Sequence, residues 1–128
     1  MKQVAALVIG AIVGTALRLA LDTVIPHDAS QFPLSTIIIN IVGAFALGLL
    51  VARLWPVAPA WARAGLGAGL IGTFTTFSAF ALSLAQLAAR SEWVLAGAYL
   101  LGTMVLGLGA AIVGLSLGRR RAIDLENE

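Results

Sequence analysis

Asn40 stands inside an apolar stretch, with Thr36 one turn before it and Gly43 and Ala44 one turn after. On a helix these four residues share a face. A primary amide has two N–H donors and an oxygen acceptor, so in hydrocarbon Asn40 must face protein or water. A second polar run follows in Gly72-Thr73-Phe74-Thr75-Thr76-Phe77-Ser78-Ala79-Phe80. The preceding Gly65 to Gly72 is poor in helix formers, and Thr73, Thr75 and Thr76 are β-branched, which together predict an interruption of the helix near the membrane centre. An interruption frees carbonyl groups, hard oxygen ligands suited to sodium. The residues alone leave two plainer readings open. Asn40 is then an interhelical hydrogen bond worth about 0.6–2 kcal/mol, and the threonine hydroxyls bond back to the i−4 carbonyls of a continuous helix.

Beyond the interruption, Phe74, Phe77, Phe80 and Ser83 follow three-residue steps, which predicts one stripe of aromatic rings ending in a hydroxyl. Such rings also serve as plain packing. Their positive edges, however, attract an anion without a full charge, which suits a site that must also let the ion go.

These residues must be positioned by elements that lie in lipid. Of 128 residues, 60% are hydrophobic and 11% charged, against roughly 25% charged in a soluble domain. Apolar stretches run over 4–21, 34–52, 64–88 and 94–117, each near the roughly 20 residues that a bilayer core requires. The four prolines and three tryptophans all fall between them, where helices stop and interfacial aromatics sit. An all-α integral membrane protein of four helices in a single domain, 1–128, is therefore expected, with a short polar tail, 119–128, that frays. Within the stretches the one charged residue is Arg18, near an end; every Asp and Glu is placed in a loop or the tail. The N-terminal run is read as the first helix and not a cleaved signal, because Arg18 interrupts it and no small-residue cleavage site follows. Gly10/Gly14, Gly65/Gly69 and Gly114/Gly118 have the four-residue spacing of close-packed membrane helices.

The chain has no cysteine and one histidine, which excludes disulfides, thiolate metal sites and cysteine nucleophiles. No helix pairs a nucleophile with a base, so an enzyme is not expected. Net charge is only +2, and the basic residues sit at helix ends and in loops as topology signals, not as a nucleic-acid patch. Four helices put both termini on one side with Lys2, Arg53, Arg63 and Arg119 to Arg121, which makes that side cytoplasmic.

The run Gly72 to Phe80, the segment Gly10 to Arg18 and the spacing Thr36-x-x-x-Asn40-x-x-Gly43 resemble the Fluc family of small bacterial fluoride channels, over essentially the whole chain. The resemblance implies a fluoride-selective channel of the bacterial inner membrane giving fluoride resistance. It further implies a dual-topology homodimer of antiparallel subunits, with two fluoride pathways and one structural sodium ion at the centre. Phe77 and Phe80 match the ring pair whose edges face fluoride, Asn40 its donor, and Thr36, Thr76 and Ser78 the polar side of the pathway. Gly72 and Thr75 match the positions whose carbonyls hold sodium, and Arg18 the first-helix arginine. The family's fourth-helix hydroxyls have Thr103 and Ser116 as candidates here. The basic bias towards the terminal side also fits a fixed-orientation half of a two-gene pair. A proton-coupled four-helix exporter and a structural membrane subunit are the alternatives from other classes.

Overall fold

The computed structural model describes residues 1–25 and 32–126, with side chains through Arg119. Pro26 lies outside the described residues. Helix α1 is Lys2–Val24, α2 Leu34–Arg53, α3 Ala60–Arg63, α4 Gly72–Phe74, α5 Phe77–Ala89 and α6 Trp93–Glu126, with a π-helix, Ala64–Ile71, joining α3 to α4. Together they make four spans long and apolar enough to cross a membrane: α1, α2, Ala60–Ala89 and Trp93–Arg119. Pro33 precedes α2 and Pro59 precedes α3, where the fixed φ of proline starts a helix at no cost in hydrogen bonds.

Two helices run further than expected. The last continues to Glu126 through the stretch expected to fray, because Arg, Ala, Leu and Glu are all good helix formers. The first continues to Val24, so Asp22 stands on a membrane-spanning helix and not in a loop.

The spans pack as two pairs, α1 along the third span and α2 along α6, with α5 bridging to α6. Lipid gives no hydrophobic drive between helices, so the pairs rest on close backbone approach. A Cβ on Gly10 would strike the Gly65 carbonyl, and one on Gly114 would strike the Phe45 carbonyl. The glycine spacings thus mark real contact faces: α1 on the π-helix, α6 on α2. The outward faces carry large apolar side chains such as Ile12 and Leu101, as a lipid-facing surface should. The buried cluster is Ile37 of α2, Phe80 and Leu87 of α5, and Ala96 and Tyr99 of α6.

Within the third span the glycine run does not unwind; it winds as the π-helix, and Gly69 approaches the Leu7 carbonyl of α1. The extended residues come later. Thr75 has φ −73°, ψ 156°, and Thr76 φ −143°, ψ 114°. Both are β-branched residues comfortable in that region. The interruption therefore falls between Phe74 and Phe77, and the expected single aromatic stripe does not form. Phe74 is buried before it and reaches toward Gly43 of α2, while Phe77 and Phe80 belong to α5.

Candidate functional site

Two side chains hold the interruption in place. Asn40 of α2 donates from Nδ2 to the Thr76 carbonyl at 3.1 Å and accepts at Oδ1 from the Thr76 N–H at 2.9 Å. The Thr76 hydroxyl then caps α5 by accepting from the Ala79 N–H at 3.2 Å, and it shares a 3.2 Å contact with Ser78 Oγ. A hydroxyl at this position satisfies one of the orphan donors of a helix start.

These bonds divert two N–H groups. In a continuous helix the Thr76 N–H would bond the Gly72 carbonyl and the Ala79 N–H the Thr75 carbonyl. Asn40 and the Thr76 hydroxyl take them instead, so the carbonyls of Gly72 and Thr75 lose their helical donors. Both are hard oxygen acceptors released within a few residues of one another, a donor set that fits a cation bound by backbone oxygens. Among the described residues there is no cluster of His, Cys, Asp or Glu suited to a metal.

The back-bonding pattern is present too. Thr75 Oγ1 donates to the Ile71 carbonyl at 2.9 Å, and Thr73 Oγ1 lies 2.8 Å from the Gly69 carbonyl and 3.0 Å from the Ala11 carbonyl of α1. Thr73 thereby ties the third span to α1. Back-bonding and interruption coexist, one immediately before the other.

Thr76 borders two cavities. One, of about 480 Å³, is lined by Asn40, Thr76, Phe77, Phe80 and Thr103 among others. The other, of about 350 Å³, is lined by Arg18, Asp22, Thr76 and Ser78, with Leu19, Ala79 and Leu82. A larger groove of about 720 Å³ between α1 and the third span is apolar apart from Lys2. It offers no ion chemistry.

The structure thus brings Asn40, Phe77, Phe80 and Thr76 together around one cavity, and Ser78 and Arg18 with Thr76 around the other. Thr36 lies elsewhere: it is buried on α2 and faces the Tyr99 hydroxyl of α6 together with Ser83. Phe77 and Phe80 have ring centroids 5.9 Å apart at 42°, but their surroundings differ. Phe80 is 5% exposed and stacks on Tyr99 at 5.2 Å, whereas Phe77 is 77% exposed.

On α6 the two candidates separate. Thr103 lines the larger of the two Thr76 cavities, while Ser116 is exposed and spends its hydroxyl on the Ile112 carbonyl of its own helix at 2.8 Å. Ser116 lines neither of the two cavities. Tyr99 went unnoticed in the sequence, although it is the one tyrosine and sits inside an apolar run. Membrane tyrosines favour the interface, so a tyrosine at depth signals a polar neighbour. Among the described residues, Thr103 Oγ1 is buried without a hydrogen-bond partner, and Tyr99 Oη is buried with only the nearby Thr36 and Ser83 hydroxyls to meet it. Tyr99 and Thr103 stand about one helical turn apart on α6 and continue the polar line past Phe80.

A four-span helical membrane protein whose third span turns aside at a residue with its backbone clasped by a half-buried amide, with aromatic rings and hydroxyls around it, has the parts of a small ion-conducting subunit. The comparisons specify it. Residues 5–115 match the model of the CrcB-like protein, Camphor Resistance (CrcB) family. The chain is 40% identical to the fluoride-specific ion channel FluC of Paracoccus denitrificans over 111 residues, 87% of this chain and 90% of that one. It is 39% identical to FluC of Aquifex aeolicus over 122 residues, 92% and 98% of the two chains, and 35% identical to FluC of Oceanobacillus iheyensis over 122 residues, 91% and 92%. The chain belongs to the CrcB-like family.

Proposed function

We propose that this chain forms a fluoride-selective channel that lets cytoplasmic fluoride leave passively across the bacterial inner membrane, conferring fluoride resistance. The observation that carries the reading is the position of Thr76, which borders both cavities while its backbone N–H and carbonyl are both held by Asn40. The names of its relatives point the same way.

The chemistry follows from the lining. Fluoride is small and strongly hydrated, so a pathway must replace its water with well-placed donors. Asn40 keeps a second Nδ2 hydrogen after its bond to Thr76, and the hydroxyls of Thr76, Ser78 and Thr103 supply further donors. The ring edges of Phe77 and Phe80 add positive potential without a fixed charge. Among the described residues no lysine or arginine lines the Asn40 cavity, and weak neutral donors favour release as well as binding.

Phe77 is exposed and both cavities open at the subunit surface, so the pathway needs a second wall. A second copy inserted in the opposite orientation supplies it in this proposal, giving an antiparallel homodimer with the interrupted third spans near its axis. The Gly72 and Thr75 carbonyls would hold one sodium ion there, which would compensate backbone oxygens left without helical donors. A negative-inside potential drives the anion outward by about 2.3 kcal/mol per 100 mV.

The test is flux from liposomes loaded with potassium fluoride, started with valinomycin and recorded with a fluoride electrode, beside chloride-loaded controls. Rapid fluoride loss with chloride retained and no pH gradient imposed is expected. Flux that required a proton gradient would mean a coupled exporter instead.

A further inference from the structure

Asp22 lies one turn beyond Arg18 on α1, and the two border the same cavity of about 350 Å³ as Thr76 and Ser78. Thr76 also borders the Asn40 cavity, and in the channel reading the Arg18 cavity is the approach to it. It presents one positive and one negative side chain to the same small volume. A cavity with low-dielectric walls focuses such charges, so each changes the local concentration of a small anion.

We propose that Asp22 sets the anion affinity of this approach by offsetting the field of Arg18. The inference rests on the fluoride-channel reading. A guanidinium alone in this cavity would gather anions and also hold them, whereas conduction needs a site that releases. The carboxylate four residues on lowers the potential that fluoride meets there. It thus trades occupancy at low fluoride for faster departure. An ion approach must hold water, so the effect is screened by salt, with a Debye length of about 8 Å at 0.15 M and about 30 Å at 0.01 M.

The experiment measures fluoride efflux across a range of fluoride concentrations, at low and high ionic strength set with an impermeant salt. It compares the wild type with Asp22→Asn, Asp22→Ser and Asp22→Glu. Removal of the charge should raise efflux at subsaturating fluoride by about threefold to tenfold at low ionic strength, as a unit charge several ångströms away would. At about 0.5 M salt the difference should shrink below about twofold. Half-saturation should fall to lower fluoride, and Asp22→Glu should stay near the wild type.

Efflux through both neutral variants at or below that of the wild type at low salt, in protein with unchanged elution and melting, overturns the inference. So does an Asp22→Glu variant as altered as Asp22→Asn, since shape and not charge would then be the cause. Two neutral variants guard against one that fails to fold. A wild type that passes no fluoride overturns the channel reading and this inference with it, whereas a conducting wild type with unresponsive variants overturns the inference alone.

Discussion

Asn40 and Thr76, thirty-six positions apart, are joined by two hydrogen bonds that use both the amide oxygen and an amide hydrogen of one side chain on both backbone polar groups of one residue. The clasp links α2 to the turn in the third span, so loss of either half has consequences for structure and conduction together. Asn40→Asp keeps an acceptor for the Thr76 N–H but turns the donor toward the Thr76 carbonyl into an anionic oxygen. Fluoride efflux should fall to the protein-free leak. Destabilisation of about 1–3 kcal/mol, the cost of a buried polar group left unpaired, should appear as a lower melting temperature in detergent. Full efflux from Asn40→Asp liposomes would show that the amide is packing alone.

Phe77 and Phe80 separate two roles that aromatic residues usually combine. Phe80 is buried against Tyr99, while Phe77 is almost free of its own subunit. Phe80→Ile should lose the stack and lower stability by about 0.5–1.5 kcal/mol, as well as reducing fluoride efflux. Phe77→Ile should leave the melting of the subunit nearly unchanged and still reduce efflux at least tenfold, because its ring edge is offered outward. Efflux at the wild-type level from both variants would remove the rings from the pathway.

The sequence exposed the four spans because lipid demands length and apolarity and nothing subtler. It exposed Asn40 and Thr76 because polar side chains at membrane depth need partners. It did not place the turn in the third span. A glycine run reads as the weakest helix, yet close contact with α1 holds that run in a π-helix, and the deviation moves to Thr75 and Thr76, where Asn40 competes for the backbone. The aromatic stripe failed for the same reason, since a helical period applies only within one helix. Tyr99 was hidden because a single polar tip in an apolar run gives no period at all, and Asp22 because α1 outlasts its apolar residues.

The glycine contacts give a test of packing that is independent of conduction. Gly10 touches the backbone of the π-helix, where a Cβ would overlap the Gly65 carbonyl, whereas Gly97 of α6 has open space around it. Gly10→Val should force α1 away and destabilise the protein by about 1–3 kcal/mol or more. Gly97→Ala should be neutral or stabilising by about 0.5–1 kcal/mol, the helix-interior difference between the two residues. Thermal unfolding of the two variants in one detergent decides it; equal melting temperatures would mean that α1 does not pack on the third span as described.

Sodium is expected to act on assembly before it acts on conduction. If the Gly72 and Thr75 carbonyls hold the ion between two subunits, it binds the dimer and not the separated chains, and it stabilises the dimer by about 2.7 kcal/mol at one hundred times its dissociation constant. Melting of the purified protein should therefore rise with sodium and not with an equal concentration of a large organic cation. A melting temperature indifferent to sodium over the millimolar range would leave the two carbonyls without this partner.

Dual insertion conflicts with the basic residues on the terminal side, and a single label resolves the conflict. The chain has no cysteine, so Glu92→Cys, at an exposed position in the turn between α5 and α6, supplies one unique thiol. The positive-inside rule counts basic residues near span ends, and Lys2, Arg53 and Arg63 alone would place this turn outside in every copy. An antiparallel dimer instead places it inside in half of them. An impermeant maleimide applied to intact cells should therefore label about half of the thiols, with the remainder labelled only after permeabilisation. Complete labelling from outside would show one orientation, and the second wall of the pathway would then have to come from a different chain inserted the other way.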